Sequence, residues 1–179
     1  MHQLMKQATR RDFLYLSAAA FSTVGVGAGV LTLIKTMNPA KDVMALSSVE
    51  VDIKSLEPGQ QKITSWRGKP VFIKRRKPEE IKAVEATPLI ELKDPQTDKE
   101  RFSKNQEYLV VVGVCTHLGC IPNKREALGN NAQEGGGWLC ACHGSIYDAS
   151  GRIIKGPAPK NLEVPPYELL NSNTTIKIG

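Results

Sequence analysis

Two hexapeptides constrain this chain more than anything else in it: Cys115-Thr116-His117-Leu118-Gly119-Cys120 and Cys140-Ala141-Cys142-His143-Gly144-Ser145. Together they hold all 4 cysteines and all but one of the 3 histidines, the exception being His2. Each box offers a thiolate and an imidazole at close spacing, C-x-H in the first and C-x-x-H in the second. Two sulfurs and two nitrogens suit either zinc or iron in a sulfide cluster. Cys120 and Cys142 are then left over, one per box. An even remainder of this kind suggests a disulfide tying the two loops together.

The order of the ligands bears on the metal. Zinc fingers keep like ligands together, C-x-x-C and then H-x-x-x-H, whereas sulfur and nitrogen interleave here. C-T-H-L-G-C followed by C-x-C-H-G-S resembles the Rieske iron–sulfur proteins, in which two histidines replace two cysteines on one iron. The resemblance implies one 2Fe-2S cluster, with Cys115 and Cys140 on one iron and His117 and His143 on the other. It likewise matches Cys120 and Cys142 to the family's loop-bridging disulfide. Two thiolates bring a core of about +2 charge near neutrality, which favours high potentials, about −150 to +300 mV. In high-potential members, hydroxyls at the positions of Ser145 and Tyr147 donate to a bridging sulfide and a cysteine sulfur. Leu118 is expected to pack over the cluster near the quinone.

The N-terminus points to export. Thr9-Arg10-Arg11-Asp12-Phe13-Leu14 fits a twin-arginine signal ahead of an apolar run. That route carries folded cargo, as a cluster assembled in the cytoplasm requires. Phe13 to Ile34 is 22 residues without a charge. As a helix it spans roughly 33 Å, enough to cross the hydrocarbon core and longer than a signal h-region. The spacing predicts a retained transmembrane helix over 13–35, after a cytoplasmic segment 1–12. Lys6, Arg10 and Arg11 ahead of the helix place the rest of the chain on the outer, periplasmic side, where disulfides form. Gly25 and Gly29 form a small-xxx-small pair able to seat a neighbouring helix. Asn38-Pro39 ends the helix. Residues 36–48 read as a flexible tether, and Lys41 to Ser47 is similar to the hinge of the Rieske subunit of cytochrome bc complexes.

The remaining chain, 49–179, reads as mostly β. Val49 to Ile53 alternates, and Val71-Phe72-Ile73 follows the turn Gly68-Lys69-Pro70. Pro78-Glu79-Glu80 opens a short helix to about Ala86. Leu109 to Val114 delivers the chain into the first box. The 19 residues between Cys120 and Cys140 read as a surface excursion, including Asn130-Asn131 and Gly135-Gly136-Gly137. A short helix is expected around Lys124 to Leu128. Trp138-Leu139 re-enters a strand, Ile146 to Ile154 forms a hairpin, and Gly156-Pro157-Ala158-Pro159 resembles the family's cluster-covering loop. Strands around Pro165-Pro166 close the fold. Arg75-Arg76-Lys77 reads as a solvated strand end. Trp66 to Arg76 and Asp94 to Asp98 are similar to stretches of bc-type Rieske subunits.

The resemblance implies a fold and a function. The fold is an N-terminal transmembrane helix plus a Rieske-type antiparallel β-sandwich with a small cluster-binding subdomain at about 112–160. The function is the iron–sulfur subunit of a proton-translocating ubiquinol–cytochrome c reductase in a bacterial inner membrane. Its partners are then cytochrome b and cytochrome c subunits, ubiquinol and the bilayer, in a dimeric complex. His143 and His117 face the quinol and take its proton. A Rieske subunit of another periplasmic oxidoreductase, such as arsenite oxidase, would not need the long tether. A soluble Rieske ferredoxin would lack the anchor and the extra cysteine pair, and a zinc module would be redox-silent. The net charge of +6 is spread along the chain without aromatic interleaving, which argues against nucleic acid.

Overall fold

A computed structural model describes residues 9–40, 43, 47–102, 105–127 and 135–179. The chain divides into two units, Met1–Met44 and Ala45–Gly179. Among the described residues of the first, Arg10–Thr36 form helix α1, which has no buried residue. Thr9 caps it: the Thr9 hydroxyl accepts from the Asp12 amide, and the Asp12 carboxylate accepts from the Thr9 amide. The twin arginines therefore form the first turn of the helix instead of preceding it. Inside the apolar stretch, the hydroxyls of Ser17, Thr23 and Thr32 donate to carbonyls one turn back, at 2.8, 2.7 and 2.9 Å. Their polarity is thus satisfied within the helix, as a water-free surround demands. The helix stops at Thr36, ahead of Asn38-Pro39. Lys6 and most of the hinge-like stretch, residues 41, 42 and 44–46, lie outside the described residues.

The second unit is built from three antiparallel sheets. The strands β1 (Val49–Asp52), β9 (Tyr167–Leu170) and β10 (Thr175–Ile178) pair in the order β1-β10-β9. β2 (Gln61–Trp66), β3 (Lys69–Arg75) and β4 (Tyr108–Val112) form a meander. β5 (Asn123–Ala127), β6 (Gly135–Cys140), β7 (Ser145–Tyr147) and β8 (Ile153–Lys155) form the third sheet. Between β3 and β4 lie α2 (Pro78–Glu85), a 3-10 turn (Leu89–Glu91) and α3 (Asp98–Arg101).

β4 explains how the sheets stack. All five of its residues are buried, because each face meets a different core. Tyr108 and Val110 pack with Val51, Ile73, Ile176 and Ile178. Leu109 and Val111 pack on the other side with Phe72, Trp138, Tyr147, Cys115 and Cys140. The middle sheet is thus shared between a sandwich core and the core beneath the two boxes.

Three expectations are corrected. The stretch from Lys124 is strand β5, not a helix; Leu128 lies outside the described residues. Its residues favour helix weakly, but pairing with β6, Lys124 opposite Trp138, decides the conformation. The glycines at 135–137 belong to β6 instead of a surface excursion. Gly137 has φ +116, and a Cβ there would meet the Tyr147 carbonyl at 2.2 Å. Glycine is needed for backbone approach. Arg76 is not a solvated strand end. It is 1% exposed and forks onto Asp98 at 2.6 and 2.9 Å.

Candidate metal centre

The two boxes close by the same local device. In the first, the Gly119 amide donates to the Cys115 carbonyl at 2.9 Å; in the second, Gly144 donates to Cys140 at 2.9 Å. Both glycines have positive φ, +84 and +74, which lets each chain reverse four residues after its cysteine. The first loop leaves β4, whose burial on both faces makes it a stiff support. The second is the turn of the β6–β7 hairpin, with Cys140 opposite Ser145.

The loops face one another. Cys120 and Cys142 are joined in a disulfide. Cys115 and Cys140 remain free thiols, each 2% exposed. The sulfurs of Cys120, Cys140 and Cys142 lie within 4.8 Å of one another, but the disulfide consumes two of them. The rings of His117 and His143 stand edge to face, centroids 4.6 Å apart. His117 Nδ1 is buried and has no hydrogen-bond partner among the described residues. A buried nitrogen without a partner is costly unless something else binds it.

Hydroxyls approach the same place. Tyr147 Oη donates to Cys115 Sγ at 3.2 Å and accepts from the Thr116 amide at 3.1 Å. Burial and the bond to Cys115 push the Tyr147 hydroxyl up to about 12. Burial also raises the Cys115 thiol, but hydrogen bonds led by Tyr147 outweigh it and leave the thiol below its ordinary value. Burial and the neighbouring Cys115 raise Cys140. Ser145 is fully buried, and its Oγ accepts from the Ala158 amide at 3.1 Å. This bond ties the proline-containing loop over the second box. Leu118 is 71% exposed.

Some contributors escape a reading of the sequence. Thr116 Oγ1 donates to the Lys160 carbonyl at 2.6 Å, linking the first box to the covering loop. Asn161 fastens that loop from beneath: its Oδ1 accepts from Ile153 N, and its Nδ2 donates to Asp94 O and Gln96 Oε1. Nothing local distinguishes Asn161 from a loop asparagine, since its partners lie up to 67 residues away.

Residues 48–168 match the Rieske [2Fe-2S] domain. The chain belongs to the Rieske family. Residues 1–40 match the Ubiquitinol-cytochrome C reductase Fe-S subunit TAT signal. The Rieske chain is 47% identical over 175 residues to the ubiquinol-cytochrome c reductase iron-sulfur subunit of Rickettsia felis, covering 97% of this chain and 95% of that protein. It is 49% identical over 173 residues to the subunit of that name from Rhodospirillum rubrum, covering 97% and 93%. A solved structure, "Hyperthermophilic respiratory Complex III", superposes with a TM-score of 0.53 at 28% identity, over 90% of this chain and 98% of that one.

The cofactor of a Rieske domain is one 2Fe-2S cluster, and the residues here fit it. Two buried free thiols, two adjacent imidazoles and the orphaned His117 nitrogen supply a mixed sulfur and nitrogen donor set. The signal segment and the apolar helix α1 mark a membrane-anchored protein.

Proposed function

We propose that this Rieske protein is the electron-transfer subunit of a ubiquinol–cytochrome c reductase. Its head would take an electron and a proton from ubiquinol at cytochrome b and pass the electron to a cytochrome c subunit. Relatives of that name matching 97% of the chain favour this reading over arsenite oxidase. Cys115 and Cys140 would hold one iron, and His117 and His143 the other. When bound, the cluster supplies a one-electron acceptor and donor.

The protein's own groups do the rest. Were His117 to bind through its orphaned Nδ1, its Nε2 would remain as a proton site. His143 is exposed, so its second ring nitrogen is open to a quinol hydroxyl. On these two nitrogens the protein would hold the proton that accompanies the electron. Exposed Leu118 and Ile121 beside the histidines offer an apolar rim for docking on cytochrome b. Tyr147, which donates to Cys115 Sγ, and the buried hydroxyl of Ser145 would keep the potential high.

The head lies in the periplasm and α1 crosses the inner membrane, with the Arg10 and Arg11 end cytoplasmic. Residues 36–48 act as the tether, the enzyme assembles as a dimeric complex, and its turnover moves protons across the membrane. The observation that carries the reading is the orphaned, buried His117 Nδ1, on a ring that stands edge to face with the exposed His143. The test is His143→Cys in the intact complex, with EPR and quinol-dependent cytochrome c reduction. Quinol oxidation should be lost. Retention at an unchanged potential would overturn the proton-accepting role.

A further inference from the structure

The loop that covers the second box is gripped at both ends by two adjacent residues, Lys93 and Asp94. At its start, Lys93 Nζ donates to the Gly156 carbonyl. At its end, the Asp94 carboxylate accepts from the Asn161 amide at 2.9 Å, and the Asp94 carbonyl accepts from Asn161 Nδ2 at 2.9 Å. Asn161 is buried and passes the hold on to Ile153, whose amide donates to its Oδ1 at 2.9 Å. The grip comes from far off in the chain: 63 residues separate Lys93 from Gly156, and 67 separate Asp94 from Asn161. Pro95 restricts the backbone of Asp94, which stiffens the hold.

What is held bears on the chemistry of the box. Between the two ends sits Ala158, fully buried, whose amide donates to Ser145 Oγ at 3.1 Å. A serine hydroxyl has one proton to give and two lone pairs to receive with. With a lone pair engaged by Ala158, the Ser145 proton is turned away from the loop and toward the box. Ser145 stands opposite Cys140 across the β6–β7 hairpin. It also bonds Cys115: burial raises that thiol, and hydrogen bonds from Tyr147 and Ser145 are among those that lower it. A donor aimed at a ligand sulfur favours the reduced centre.

We propose that Asp94, together with Lys93, is a positioning residue: it holds the covering loop so that the Ala158 amide keeps the Ser145 hydroxyl aimed at sulfur, and thereby keeps the reduction potential of the cluster high. The inference rests on the cluster assignment above. Asp94 can be tested cleanly because its two conceivable influences differ in sign. Removing a negative charge would by itself raise the potential. Releasing the loop lowers it.

The experiment is an EPR-monitored redox titration of the full-length protein in detergent, with hydrogen exchange at the Ala158 amide followed alongside. Ser145→Ala should lower the midpoint potential. Asp94→Ala should lower it by no more than Ser145→Ala does, and exchange at Ala158 should rise. Asp94→Asn keeps an acceptor oxygen and loses the charge, and should stay near wild type in both measurements. In a Ser145→Ala background, Asp94→Ala should produce no further fall. An Asp94→Ala potential at or above wild type overturns the inference. So does a fall that persists undiminished without the Ser145 hydroxyl, or an Asp94→Asn fall as large as that of Asp94→Ala. A Ser145→Ala protein at the wild-type potential overturns it too. Should Asp94→Ala fail to load a cluster, Lys93→Gln, a change at an exposed side chain, decides by the same comparison. A fall that vanishes in the Ser145→Ala background supports the inference; one that persists there, or no fall at all, overturns it. A wild-type protein without a Rieske EPR signal would instead sink the cluster assignment itself, before any variant is compared.

Discussion

The Tyr147 hydroxyl donates to Cys115 Sγ across 3.2 Å, from a residue 32 positions away in the chain. Its aim is set by the Thr116 amide, which donates to the same oxygen at 3.1 Å. The phenol proton is therefore turned toward sulfur. A donor so placed stabilises the more negative, reduced state more than the oxidised one.

Tyr147→Phe should accordingly lower the midpoint potential. With about 1 kcal/mol of differential stabilisation for one hydrogen bond, the drop is about 40 mV for a one-electron centre. A redox titration of the purified protein checks this. The cluster should still load, because the ring stays in the core and Thr116 keeps its bond to Lys160.

The covering loop depends on Gly156. Its φ is +100, and a Cβ there would meet Ser145 Cα at 2.5 Å and the Gly144 carbonyl at 2.6 Å. Gly156→Ala should cost about 1–3 kcal/mol and lift Ala158 from the Ser145 hydroxyl. Thermal unfolding followed at a visible cluster band should show a lower midpoint. Hydrogen exchange at Ala158 should rise.

The Cys120–Cys142 disulfide closes a 22-residue separation. By chain entropy such a link contributes about 3 kcal/mol. A Cys120→Ser, Cys142→Ser protein should melt earlier by that amount. It should also lose its cluster in a chelator challenge faster than wild type.

Asp98 makes stability depend on acid. Burial raises its carboxyl, but the hydrogen bonds and charge of Arg76, with help from Ser150 and Arg152, outweigh burial and hold it below its usual value. The folded protein then binds fewer protons at this site than the unfolded chain, whose value is about 3.9. The contribution is fully present above that value and is lost as pH falls through the lower folded one. Asp98→Asn should remove about 3–5 kcal/mol at neutral pH, because Arg76 is left buried and unpaired. Denaturant titrations from pH 7 down to about pH 3 should show a shallower acid dependence than wild type.

The parts of the centre that were legible in the sequence are those encoded by short spacing. Box geometry depends on a glycine four residues after each cysteine, and Tyr147 follows His143 at a fixed offset on one hairpin. Helix α2 announced itself through Pro78 and the acids behind it. The failures have a common cause. Residues Asn123–Ala127 carry weak helical preference, and only the partner strand makes them β. Gly135 to Gly137 look like a turn until the Tyr147 carbonyl is seen where a side chain would sit.

The sequence by itself determined the two cysteine and histidine boxes, their glycine turns, the export signal and an apolar helix long enough to cross a membrane. Each of these is decided by residues near one another along the chain. Only tertiary structure decided that Arg76 is buried on Asp98, that Asn161 pins the covering loop, and that Arg101 is buried with its guanidinium on the Ser150 and Leu162 carbonyls. A charged side chain reads as solvated until its surroundings are known. Whether it is paired, screened or left alone in the core depends on strands and loops that meet only when the chain has folded.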